Sequence, residues 1–96
     1  MADDTPWTGR ANVRQAMDFF TQSGWTPEQA AGIVANLYAE SRVDPYRTGD
    51  RGLAYGIAQW HPDRQTNYAN WAVDQDIGES GLPEQLNFVQ HELTKG

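Results

Sequence analysis

The sequence has no cysteine among its 96 residues. No disulfide can staple the fold, and thiolate nucleophiles and Cys-ligated metal sites are excluded. Positive charge is scarce: 7 Lys and Arg stand against 13 Asp and Glu, a net charge of −6. That balance leaves no electrostatic footprint for nucleic acid. It also removes any long-range pull toward an anionic cell wall, so a wall substrate would be held by aromatic stacking and hydrogen bonds. No apolar run approaches the length of a membrane span, and no membrane insertion is expected. The opening MADDTPWTGR has neither a charged n-region nor an apolar h-region, so no signal peptide is expected. A GxSxG elbow and a phosphate-cradling loop are both missing. His61 and His91 lie far apart and lack a third ligand at metal spacing. Neither a metal nor a cofactor is expected.

What is present suits one small domain. Hydrophobic residues make up 39% of the chain, with four Trp and four Tyr, enough for a single compact core. Repeats, low-complexity tracts and linkers are absent. Residues 1–9, with Pro6 and Gly9, read as a loose lead-in whose Trp7 folds back on the body. Residues 10–96 read as the domain.

Hydrophobic periodicity predicts four helices. Val13, Ala16, Met17 and Phe20 mark the first, over 10–23, with Gly24 as a left-handed terminator. Thr26-Pro27-Glu28-Gln29 is a start signal, with a hydroxyl cap, proline at the first turn and glutamine three residues after the cap. The second helix then runs over 27–41 with Ala30, Ile33, Val34 and Leu37 as its stripe. Asp63 caps a third helix over 64–73, with Tyr68, Trp71 and Ala72 inward. Leu82-Pro83-Glu84 opens a fourth, reaching about Leu93, with Leu86, Val89 and Leu93 inward and Phe88 beside them. Between the second and third lies a turn-rich loop, 42–52, and a short strand or hairpin arm, 53–60. Read with period two, Leu53, Tyr55, Ile57 and Gln59 share one face and Ala54, Gly56 and Ala58 the other. The bare second face allows close approach by a ligand or another element. The fold class is α+β, mainly α, with one small β-hairpin after the second helix.

Glu40 draws attention within this frame. It follows Ile33 by seven residues and Leu37 by three, which places it on the buried face of its helix. It also sits at the C-terminal end, where the macrodipole opposes a negative charge. Both effects would favour the protonated carboxyl that a general acid needs. A solvated end-of-helix residue, or one paired with Arg42 or Arg47, is the competing reading. Asp50 is the candidate second carboxylate, since glycoside cleavage commonly uses two. Asp44 competes, although Asp before Pro is ordinary turn chemistry. For Trp25, Trp60 and Trp71, core packing is the favoured reading and sugar stacking the alternative. Tyr55 and Trp60 are nearest to a cleft.

These residues resemble a known pattern. Glu40-Ser41 followed by Asp44-Pro45 is similar to the Glu-Ser…Pro signature of lytic transglycosylases and goose-type lysozymes. Gly52 to Trp60, GLAYGIAQW, resembles their later Gly-Leu-Met-Gln segment. The closer resemblance is to the phage tail lysozyme family. It extends over AMDFFTQSGWTPEQAAGIVANLYAES, the GIAQWHPDR segment and LPEQLNFVQHEL, nearly the whole chain. The resemblance implies a lysozyme-like fold and cleavage of the β-1,4 bond between N-acetylmuramic acid and N-acetylglucosamine in peptidoglycan. It puts the catalytic acid on Glu40, with Asp50 assisting water or the oxocarbenium-like centre. Tyr55, Gln59 and Trp60 would line the sugar cleft, and Ser41 would support the acid helix by hydrogen bonding.

The resemblance also implies a place in the phage tail, or delivery to the bacterial wall or periplasm. The partners it implies are peptidoglycan glycan strands, other modules of a longer tail protein and, in one variant, a second copy of the chain. Members of the family usually continue beyond the fourth helix, so a C-terminal segment is expected to be lacking here. Three activities stay open at this point: muramidase, lytic transglycosylase giving 1,6-anhydro products, and a catalytically weak binding or structural module.

Overall fold

A computed structural model describes the backbone of residues 7–95 and the side chains of residues 10–95. The elements, in order, are α1 (Trp7–Gln22), α2 (Pro27–Ser41), β1 (Thr48–Gly49), a 3-10 turn (Asp50–Gly52), β2 (Ala54–Tyr55), α3 (Pro62–Asp74) and α4 (Leu82–Thr94). The expected mainly helical α+β architecture is present. β1 and β2 pair antiparallel, Thr48 opposite Tyr55 and Gly49 opposite Ala54.

α1 starts at Trp7, so the lead-in expected over 1–9 is partly helix; residues 1–6 and the Trp7 side chain lie outside the described residues. The helix ends where Gly24 takes φ 108°. At α2 the Thr26 hydroxyl accepts from Gln29 N, and the Gln29 carboxamide accepts from Thr26 N. This reciprocal cap satisfies two backbone donors that the first helical turn leaves orphaned. α3 begins earlier than expected. His61, not Asp63, holds the N-cap position, and Pro62 starts the helix.

The segment 53–60 is not one strand arm. Only Ala54 and Tyr55 join the sheet. The chain then reverses through 56–59, and Tyr55 and Trp60 pair back on each other, with N–O distances of 3.0 and 2.9 Å. Gly56 (φ 86°) and Gln59 (φ 49°) make that reversal. The period-two reading therefore fails. Leu53 is half exposed, whereas Ala54, Gly56 and Ile57 are buried. A reversal at Gly56 breaks the alternation on which such a reading depends.

α1 and α2 pack through Ala16 and Phe20 against the stripe of Ala30, Val34 and Leu37, all buried. The other half of the core is aromatic. Trp60, Tyr68 and Phe88 have ring centroids 4.9 to 5.5 Å apart, and Trp71 covers Phe88 at 5.3 Å. These rings join the 56–60 reversal to α3 and α4. Leu93, expected inward, is 45% exposed.

Gln85 of α4 is fully buried and connects three loops. Its Oε1 accepts from Ile57 N at 2.9 Å. Its Nε2 donates to Pro45 O at 2.8 Å and Ser80 O at 3.0 Å. The same oxygen lies 2.7 Å from where a Cβ on Gly56 would stand, and the Trp60 ring lies within 2.9 Å. Only glycine fits there, so the bare face seen in the sequence admits another element of the fold. Gln85→Leu keeps the volume but strands a buried N–H and two carbonyls. The expected loss is about 3 kcal/mol of unfolding free energy, read from a urea titration. A loss under about 1 kcal/mol would mean that the three loops are held by other contacts.

Candidate functional site

The site is built on the end of α2. The buried stripe of α2 is Ala30, Val34, Leu37 and then Ser41. At about 100° per residue, Glu40 sits about 90° round the helix from the centre of that stripe. Ser41, not Glu40, takes the next inward position. Glu40 is exposed, which corrects the expectation of a buried carboxyl.

Ser41 anchors the region. Its hydroxyl lies 2.7 Å from Ile57 O and 3.1 Å from Leu37 O, and it is buried. The shorter bond ties the end of α2 to the 56–59 reversal. Immediately after it, Arg42 and Val43 both take left-handed backbone, φ 61° and 56°. For a β-branched residue this is an outlier conformation. Val43 is held by complete burial of its side chain and by Asn12, whose amide donates to Val43 O at 3.0 Å. The sharp turn delivers Pro45 O to Gln85. Arg42 stacks over the Tyr38 ring at 5.3 Å.

The remaining expected site residues are spread over several environments. Asp50 is exposed in the β1–β2 turn, and its Oδ2 lies 2.7 Å from His61 Nε2. Among the described residues no hydrogen bond or ion pair joins Asp50 to Glu40. Asp44 is used locally, accepting from Tyr46 N at 2.9 Å. Gln59 spends its amide on Arg47 O (3.0 Å) and Gly56 O (2.8 Å), while its Oε1 lies against Gly49 where a Cβ would stand. It is a brace of the hairpin. Trp60 has no exposed surface and donates its indole N–H to Glu92 Oε1 at 3.0 Å. The expectation of a sugar-facing Trp60 is corrected: the ring fills the aromatic core. Tyr55 is half-buried and borders a cavity of about 370 Å³ beside Tyr68, Val73 and Ser80.

A larger groove, about 460 Å³, runs between α2, α3 and α4. Ile33, Leu37, Ala58 and Val89 give it apolar surface, and Asn36, Arg64 and Glu92 supply polar groups. Glu40 follows Asn36 by four residues, so it stands one helical turn beyond this wall. Amphipathic walls of this kind suit sugars, which have apolar faces and hydroxyl rims. Sequence reading did not single out Gln85, Arg64 or Glu92. For Gln85 a signal existed, since an amide falls inside the apolar stripe of Leu82, Leu86 and Val89. For Arg64 and Glu92, 28 residues apart, there was none.

The family model described as phage tail lysozyme matches residues 11–96. The chain belongs to the phage tail lysozyme family. A curated relative is Morphogenesis protein 1 of Bacillus phage B103, 26% identical over 87 residues. The match takes in 85% of this chain and 23% of that protein, so the chain spans about a quarter of the relative's length. In this phage tail lysozyme domain no group of three His, Asp or Glu among the described residues could hold a metal ion. No described helix is long and apolar enough to cross a membrane.

Glu92 supplies the carboxylate of the groove wall, and its ionisation is displaced. Burial pushes its carboxyl up. Hydrogen bonds from Arg64 (3.0 and 2.6 Å) and Trp60, with the charges of Arg64 and Lys95, outweigh burial and hold it below the usual value. A carboxylate with a lowered folded pKa stabilises the fold above its unfolded pKa and loses that contribution as pH falls through the folded one. Wild type is therefore expected to exceed Glu92→Gln by about 1 kcal/mol at neutral pH. The gap should shrink as pH falls below 4.5 and close in stronger acid, by denaturant titration at each pH. A gap constant down to full protonation would contradict this.

Proposed function

We propose that the domain is a muramidase, cleaving the β-1,4 bond between N-acetylmuramic acid and N-acetylglucosamine, with Glu40 as general acid. The observation that carries this is the setting of Glu40 in a chain of this family. It is an open carboxylate on a backbone locked by the buried Ser41–Ile57 bond, one turn beyond an amphipathic groove. An exposed acid with a rigid base can reach a glycosidic oxygen. A glycan laid across it would strip its water and favour the neutral form.

In this mechanism Glu40 donates its proton to the leaving oxygen as the C1–O bond breaks. Asp50 accepts a proton from the water that bonds to C1. The glycan is held by groove-wall contacts, because the chain carries no net positive charge to attract it. The domain would act from the phage tail, as one module of a longer protein, on the wall of the host.

A second reading draws on one observation. Among the described residues Asp50 shares no hydrogen bond or ion pair with Glu40. A lytic transglycosylase, in which Glu40 acts as acid and then base and the muramic 6-hydroxyl replaces water, makes no demand on Asp50. The deciding experiment is digestion of purified peptidoglycan with product analysis by mass spectrometry, wild type beside Glu40→Gln. Reducing N-acetylmuramic acid ends, lowered at least about a hundredfold in the variant, are expected. Anhydro ends would favour the transglycosylase. Binding without products would make the domain a recognition module, and a fully active Glu40→Gln would refute the assignment of the acid.

A further inference from the structure

The turn between β1 and β2 is held in a conformation that its residues do not prefer. Asp50 and Arg51 both take left-handed backbone, φ 50° and 58°, and neither is glycine. Such conformations persist where surrounding contacts over-determine them. Within the turn, Leu53 N donates to Asp50 O at 3.1 Å. From outside, the start of α3 grips the turn at both ends. His61 Nε2 lies 2.7 Å from Asp50 Oδ2. Gln65 Nε2 donates to Leu53 O at 2.8 Å and to Trp60 O at 2.7 Å.

His61 is well placed for this work. It is the N-cap residue of α3, with extended backbone at φ −83° and ψ 171°. Pro62 restricts it from behind, and Gln65 N donates to its carbonyl at 2.9 Å. Its ring is half exposed, but the base of the side chain is fixed. The N–H at Nε2 can donate whether the ring is neutral or charged, so the contact needs a donor and not a charge. The bond engages Oδ2, and the Asp50 side chain as a whole stays 58% exposed.

We propose that His61 is a positioning residue for the reaction: through its bond to Oδ2 it holds the Asp50 carboxylate in one orientation, so that Oδ1 can take the proton of the attacking water. This rests on the muramidase reading above. The group it acts through is Asp50, and Gln65 secures the other end of the same turn.

The test compares His61→Ala, His61→Gln and Asp50→Asn in the full chain, by hydrolysis of purified peptidoglycan and by amide hydrogen exchange at Leu53. His61→Ala should lower kcat about tenfold with KM within about twofold, as a misplaced catalytic group does. Exchange at Leu53, whose N–H bonds to Asp50 O, should quicken. His61→Gln, which keeps an N–H donor of similar reach, should restore most of both. In the Asp50→Asn background, His61→Ala should cause no further drop in kcat, because the two act as a unit. Wild-type kcat in His61→Ala, a glutamine variant no better than alanine, or full additivity with Asp50→Asn would each overturn the proposal. A wild type that binds peptidoglycan but releases no reducing ends refutes the muramidase reading and, with it, the catalytic part of this proposal. Leu53 exchange separates the remaining physical claim, since an unchanged rate in His61→Ala shows that His61 does not hold the turn.

Discussion

A single buried carboxamide sets the geometry on which the site depends. Gln85 has one acceptor and two donor hydrogens, and the fold presents it with one N–H and two carbonyls from three separate segments. Exchanging its O and N would set donor against donor and acceptor against acceptor, so the orientation is unique. Each partner is a loop backbone group that would otherwise be buried without a bond, and leaving such groups unpaired is expensive. The loop after α2, the 56–59 reversal and the approach to α4 are thus locked to the same point. The Cβ-free Gly56 lets the amide come close enough to do it.

Around that point the molecule divides its polar and apolar roles by depth. Aromatic rings from the 60 position, α3 and α4 fill the interior in edge and tilted arrangements, which suit their quadrupoles. The one polar atom of the Trp60 ring is met by Glu92, and Glu92 is in turn met by Arg64 at the groove. A core contact and a groove contact therefore share one carboxylate. Gln59, which the sequence suggested for substrate, is absorbed by the scaffold in the same way. Gln59 braces the hairpin and Ser41 joins α2 to the reversal, while Glu40 is left open to solvent.

Apart from Asp76 after α3, left-handed backbone at the described non-glycine residues falls in three segments: Arg42 and Val43 follow Glu40-Ser41, Asp50 and Arg51 form the hairpin turn, and Gln59 closes the reversal. Each of the three segments is tied by a side-chain bond. Asn12 holds Val43, His61 holds Asp50, and Gln59 holds Arg47 and Gly56. Short, tightly bent segments of this kind cannot follow from local preference alone. They exist because long-range bonds offset the local cost.

Local chemistry determined the helices, and the sequence by itself was enough for them apart from where α1 and α3 begin. Apolar spacing, the Thr26–Gln29 cap, Gly24 and the prolines at helix starts act within a few residues. The family and the prominence of Glu40-Ser41 were legible for a related reason, since contiguous motifs survive in linear order. Tertiary structure alone decided which neighbour turned inward. Glu40 and Ser41 are adjacent, and either could have continued the stripe of Leu37. Packing against the reversal chose Ser41, because its hydroxyl could satisfy the Ile57 carbonyl. Trp60 became core because the chain reverses at Gly56, which cancels strand alternation. Gln85 finds Ile57 and Pro45, and Glu92 finds Arg64, across 28 to 40 residues, and no local pattern encodes a bond whose two ends meet only after the chain has folded.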